Sequence, residues 1–469
     1  MSKIKFFGAA RTVTGSRHYV EAEYGGRSIR FLFDCGLFQG KKKLREMNWS
    51  LEGILKMEPK FIFLSHAHID HSGFLPRMVK SGYDRPIICT NTTRELTEIL
   101  LADSAHIQEE DTKFAKKRGY SRHLEPLPLY DSEDAARANQ LLKGIEYEEP
   151  FKVDDVFEFK FSNAGHIFGS AFIEFKVLRD DKPFKMLFTG DFGMQRDDDL
   201  APSPTIKRDV DLLIMEGTYG DRLHGKEDTM DVLADSIDYI HKKGSTLIIP
   251  AFAVERTQNL LFYLYQLEQE GRLPKDVSLY VDSPLAIKAT DIYNKKKREL
   301  SSFFRKFNQL YPERTVFTTT PSESKKINEN PGPMILLSAS GMLEGGRILH
   351  HLKYRLPYRD NLLLLSGFQA PGTRGDAIMN GEKEIKIHGK YFPVRCGVSQ
   401  MSALSSHGDY KAMLEWLGEF DQIPPKIILV HGEEDSLTSF KAKIEERFDI
   451  KDKNRIIIPD MLEEYEFQL

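Results

Sequence analysis

Short apolar runs recur along this chain, and one after another they stop at an acidic or imidazole side chain. Residues 3–33 read IKFFG, SRHYVEAEY and SIRFLF, which predicts two or three strands with Gly25-Gly26 as a hairpin turn. Asp34 follows the last of them at once. A helical stretch with Trp49 and residues 51–57 leads to FIFL at 61–64, a short buried strand that gives way to His66, His68, Asp70 and His71. GFLPRMVKSG then opens a helix, and residues 94–142 carry helical spacing and many charges, which predicts a helical insertion on the surface. His106 and His123 inside it have no strand-end context and are expected to be structural or exposed.

The pattern continues in VFEFKFSNAGHIFGSAFIEFKVL, two strands with His166 in the turn between them. KMLFTGDFG ends on Asp191, DLLIMEGTYG on Glu216, and KIILVHGEED places His431 after the strand at 427–430. VRCGVSQMSALSSHGDY is expected to place His407 after a strand at 394–398. In layered α/β folds, sites assemble at such strand ends. Between Gly217 and Arg395 the style changes: STLIIPAFAVERTQNLLFYLYQLEQEG and PMILLSASGMLEGGRILHHLKYRL each read strand, turn, helix, and SLYVDS and NLLLLSG add strands. Strands alternating with helices predict a parallel sheet covered on both faces, inserted into the first domain.

The 469 residues allow two or three domains, and 41% hydrophobic with 29% charged residues describes an ordinary globular protein. No apolar run approaches the roughly 20 residues that cross a bilayer, and MSKIKFFGAA lacks a signal peptide's apolar region, so a cytoplasmic protein without membrane contact is expected. Cys35, Cys89 and Cys396 are too widely spaced for a disulfide framework or a thiolate site and read as buried hydrophobes. A net charge of −4 excludes a protein that binds nucleic acid over its whole surface. The basic runs at 41–45, 116–118 and 295–298 read as solvated helix faces.

Imidazole nitrogens and carboxylate oxygens are zinc-type ligands. His66, His68, Asp70 and His71 cannot all reach one ion from a tight loop, which points to a two-metal site and hence to hydrolysis of an ester or phosphodiester.

HAHIDH at 66–71, with Asp34 before it and His166 and Asp191 after it, resembles the metallo-β-lactamase superfamily. Glu216, the long insertion, SSHGDY around His407 and LVHGE around His431 are similar to its β-CASP branch, which includes RNase J, bacterial and archaeal RNA endonucleases and the cleavage subunit of the eukaryotic polyadenylation complex. The resemblance implies an α/β fold: an αββα metallo-β-lactamase sandwich from residues 1–216 and 396–469, with a β-CASP domain, a parallel sheet flanked by helices, inserted at 217–395. It implies two Zn²⁺ ions, one held by His66, His68 and His166, the other by Asp70, His71 and His431, with Asp191 bridging. Asp34 would orient the ligating imidazoles from behind. His407 would protonate the departing 3′-oxygen, oriented by Glu216, so that Asp34, Asp70, Glu216 and His407 form the catalytic set. The implied activity is a zinc-dependent endoribonuclease leaving 3′-hydroxyl and 5′-phosphate ends on single-stranded RNA, with 5′-exonuclease action and a homodimer both open.

Residues 338–347, SASGMLEGGR, are expected to follow a strand and open a helix, with Ser338, Ser340 and Gly341 cradling a phosphate. Arg256 and Arg374 are candidates for holding the RNA backbone, and of His350 and His351 one is expected to pack and one to face solvent. Three alternatives stand beside the ribonuclease: a DNA nuclease, a small-molecule ester or thioester hydrolase, and a non-catalytic RNA-processing scaffold. The resemblance weighs His431 against the first, since DNA-repair members of the branch usually lack that histidine, the insertion with its phosphate-like loop against the second, and the filled ligand positions against the third.

Overall fold

The computed structural model describes residues 2–51, 53–118, 126–194, 200–205, 209–225, 227–367, 369–370, 372–401 and 404–469. His123 lies outside them. The chain divides into two compact units, residues 1–196, 201–223 and 406–469 forming one and 197–200 with 224–405 the other.

In the first unit, alternation along the strands builds two layers. Phe31 and Phe33 of the strand Arg27–Phe33 and Phe63 of Phe61–Phe63 point into one core with Phe159, Phe175 and Phe188, which come from the other of two seven-stranded sheets. Phe63 stacks on Phe159 with ring centroids 3.6 Å apart, and Phe33 on Phe188 at 4.9 Å. Each such buried ring stabilises the sandwich by about 2 kcal/mol. The alternate residues face outward onto helices. Leu32 and Ile62 pack with Phe74, Met78 and Leu101, while Leu213, Met215, Ile427 and Leu429 pack with Met413, Trp416, Leu437 and Phe440. The result is the expected αββα order. The helices Asn91–Arg118 and Ser132–Leu141, anticipated as a surface insertion, instead form part of the outer helical layer, because Leu101, Ala105, Ala135 and Ala138 are buried against the first sheet. His106 is exposed, as expected.

Strand direction then decides where chemistry gathers. Arg27–Phe33 pairs in parallel with Phe61–Phe63, and Phe184–Phe188, Leu212–Glu216 and Lys426–Val430 run parallel to one another. Their carboxyl ends therefore share one edge. Asp34, at φ 58°, and His431, at φ 48°, turn off strand ends in the left-handed region, which Asp and His enter more readily than most side chains. Gly36 lies so close to the loop 64–68 and its following helix that a Cβ there would stand 1.5 Å from the Asp70 carbonyl oxygen.

The second unit holds a six-stranded parallel sheet with Thr246–Pro250 and Met334–Ser338 at its centre, and apolar clusters on both faces. One of its two edge strands is Gly397–Gln400, so the segment expected to carry His407 at its end belongs to this sheet and stops well short of that residue.

Candidate metal centre

All of the candidate ligands lie within the first unit. The loop after Phe61–Phe63 and the short helix Ile69–Ser72 supply His66, His68, Asp70 and His71. The turn after Phe157–Asn163 supplies His166, and the ends of the three parallel strands supply Asp191, Glu216 and His431.

Their donor atoms form groups. His68 Nδ1 is 3.2 Å from both His66 Nε2 and His166 Nε2, and Asp191 Oδ2 is 3.5 and 3.4 Å from the same two nitrogens. Four donors on a tetrahedral zinc at ordinary bond lengths stand about 3.4 Å apart, so this spacing fits a shared cation. In the second group His71 Nε2 and His431 Nε2 are 3.0 Å apart, and Asp70 Oδ2 is 3.6 Å from His431 Nε2. Asp191 Oδ1 reaches this group too, 3.2 Å from His71 Nε2. It is buried, and its near neighbours are the imidazoles of His71 and His431, the latter at 3.4 Å. Asp191 thus faces both groups, one oxygen to each.

Burial and charge act together on these residues. Burial lowers His66 and His166 well below the usual histidine range and His68 to about 4, which favours the neutral, ligating imidazole. Burial alone would raise the Asp191 carboxyl, but His431, His71, His407 and His66 override it and hold it well below the carboxylate range. His71 is the exception. Burial opposes its charge, yet Asp191 and Asp34 raise it well above its usual value, so without a metal this imidazole carries the compensating proton.

Behind the donors, Asp34 is buried and fully engaged. It accepts from Ser65 N at 2.7 Å, Ser65 Oγ at 3.0 Å, Ser16 Oγ at 3.1 Å and His71 Nδ1 at 2.7 Å. Beside the donors, His407 Nδ1 meets Glu216, and His407 Nε2 is 3.8 Å from Asp191 Oδ2. Glu216 is fully buried and also accepts from the backbone N–H groups of Phe192 and Thr218. The strand expected before His407 does not place it. Instead, bridging of His407 with Gly193 ties its loop beside Asp191.

In the second unit the residues expected to hold phosphate have the following surroundings. The helix expected to open at the SASG loop begins only at Ile348, so no helix N-terminus stands behind Ser340 and Gly341. Ser338 Oγ is buried and donates to the Asp282 carbonyl at 2.9 Å, Ser340 Oγ accepts from Glu344 N at 3.1 Å, and Gly341 is covered by the Phe252 ring. Arg256 is buried. Arg374 donates to the carbonyl oxygens of Lys386 and Leu343 at 2.8 and 3.0 Å and pairs with Glu344, contacts that brace the loop. His350 is exposed and His351 buried, the latter bonded to Asp282 at 2.7 Å and Asn328 at 2.9 Å. Sequence reasoning gave no role to Ser65, Thr218 or the buried His18; single residues beside or within strands carry no spacing signal.

Residues 23–243 match the metallo-β-lactamase superfamily, 257–378 the β-CASP domain, and 391–459 the Zn-dependent metallo-hydrolase RNA specificity domain. The chain is similar to a ribonuclease of Thermus thermophilus, 36% identical over 437 residues that cover 92% of this chain and 93% of that protein. It is 31% identical to an RNase J-like protein of Methanocaldococcus jannaschii, covering 95% and 96%. A transcription termination factor, FttA, of the same organism is 28% identical, covering 95% of this chain and 69% of its own. No helix among the described residues is long and apolar enough to cross a membrane.

Proposed function

The chain belongs to the metallo-β-lactamase superfamily, in its β-CASP branch, and from that membership and the clustered donors we propose that this metal-dependent hydrolase uses two Zn²⁺ ions to cut single-stranded RNA, leaving 3′-hydroxyl and 5′-phosphate ends. The observation that carries the reading is Asp191, which offers one oxygen to each of two donor groups while His407 stands beside it. His66, His68 and His166 would hold one ion and Asp70, His71 and His431 the other, with Asp191 shared. The ions would supply water activation and charge stabilisation at phosphorus.

The chain's own residues do the rest. Asp34 fixes His71 through a 2.7 Å bond to its far ring nitrogen. Burial works against a charged His407, but Glu216 and Asp191 outweigh it and raise its pKa to about 9, so at neutral pH Nε2 carries a proton to give to the departing 3′-oxygen. RNA is favoured over DNA by the match at 391–459 to an RNA specificity domain and by the relatives named as ribonucleases. Three buried, unpaired cysteines suit a reducing cytoplasm.

The test is to incubate zinc-loaded protein with 5′-labelled and internally labelled RNA and with matched DNA, then map the product ends. Cleavage of RNA to 5′-phosphate ends supports the reading. Cleavage confined to DNA, or 2′,3′-cyclic phosphate ends, overturns it.

A further inference from the structure

Two hydroxyl side chains outside the ligand set touch the Nδ1 atoms of ligand imidazoles. Ser65 Oγ is 3.1 Å from His66 Nδ1, and Thr218 Oγ1 is 3.1 Å from His431 Nδ1. A hydroxyl has one proton to give and two lone pairs to receive. Ser65 gives its proton to Asp34 Oδ2, at 3.0 Å, and a carboxylate can only accept. Thr218 gives its proton to the His431 carbonyl oxygen, also at 3.0 Å. Each hydroxyl can therefore meet the imidazole only as an acceptor, and Nδ1 of His66 and of His431 must carry the ring proton. That leaves both Nε2 lone pairs bare: Nε2 of His66 faces His68, and Nε2 of His431 faces His71 and Asp70, while the Nδ1–H of His431 also lies 3.4 Å from Asp191 Oδ1.

We propose that Ser65 and Thr218 are positioning residues that lock the ligating tautomer of one histidine in each donor group, Ser65 for the group of His66, His68 and His166, and Thr218 for the group of Asp70, His71 and His431. The proposal rests on the two-metal reading above. Through Ser65 the Asp34 carboxylate extends its hold from His71 to His66, so one buried acid orients an imidazole in each group. Thr218 works from a different strand end and needs no acid. Its hydroxyl is anchored to the residue it orients, and its backbone N–H donates to Glu216 at 3.3 Å, so the same turn sets both His431 and the carboxylate beside His407. Partners of this kind typically alter metal affinity 10- to 100-fold when removed.

The test measures zinc affinity by chelator competition on the full chain, with the two binding steps assigned by His68→Ala and Asp70→Asn. Ser65→Ala is expected to weaken the step lost in His68→Ala by about 10- to 100-fold, and Thr218→Val the step lost in Asp70→Asn. Thr218→Ser keeps the hydroxyl and is expected to restore that step. Ser16→Ala removes one bond to Asp34 without touching an imidazole and measures the unspecific loss. A second readout is the ring ¹⁵N spectrum of histidine-labelled protein, in which the Nδ1–H signals of His66 and His431 should each weaken in the matching variant alone. Affinities within twofold of wild type in Ser65→Ala and Thr218→Val overturn the proposal, as does a Thr218→Ser variant no better than Thr218→Val. Wild-type protein that binds fewer than two zinc ions overturns the two-metal reading instead.

Discussion

His407 Nδ1 lies 3.0 and 3.1 Å from the two carboxylate oxygens of Glu216, so the imidazole is held by an acid that is itself wholly buried. Burial lowers the His407 pKa, but the carboxylates of Glu216 and Asp191 override it and bring it to about 9. The proton that His407 is proposed to deliver is then present below that pH and lost as pH rises through it. Glu216→Gln removes the nearer charge, so the alkaline limb of the rate profile should move to lower pH. His407→Ala should lower kcat by about 10²- to 10⁴-fold while zinc content is kept. Rate profiles with parallel metal analysis check both; an unmoved limb in Glu216→Gln sinks the pairing as the source of the shift.

His18 is buried between Phe6 and Phe188, with neither ring nitrogen hydrogen-bonded among the described residues. Burial is the main cause that lowers its pKa to about 3, with His431 and His71 adding to it. Because the folded value lies below the unfolded one, the unfolded state takes up the proton first. Stability is unaffected by this group above about pH 6.5 and falls as pH drops toward 3. At pH 5 the loss is about 2 kcal/mol. His18→Leu should therefore reduce the acid sensitivity of the metal-free protein by roughly that amount, read from urea unfolding at pH 7 and pH 5. An unchanged difference between the two pH values contradicts it.

Much of the site was legible because strand ends announce themselves. Asp34, His66, Asp191, Glu216 and His431 each follow or close a short apolar run, and parallel pairing carries those ends to one edge. His407 lacks such a strand and is placed by a bridge to Gly193, a long-range contact that no local pattern encodes. The hydroxyls of Ser65 and Thr218 were invisible for a related reason, since their meaning lies in which atoms they face. The helix expected at the SASG turn was misplaced because a glycine-rich turn after a strand looks the same whether it opens a helix at once or, as here, runs on to Ile348.

Arg374 gives the sharpest consequence of that difference. Its guanidinium ties residues 343–344 to Lys386, so its removal should loosen the loop rather than weaken a phosphate contact. Arg374→Ala is expected to lower unfolding stability by about 1 to 2 kcal/mol and to leave the salt dependence of RNA affinity unchanged. A salt slope reduced by about one would return Arg374 to the RNA backbone.

The central claim is that two donor groups sharing Asp191 each hold a metal ion. Zinc per chain, measured on purified protein dialysed to equilibrium against dilute zinc, tests it most directly. Two ions per wild-type chain are expected, with a loss from both sites in Asp191→Ala; one ion or fewer per wild-type chain contradicts the two-metal site.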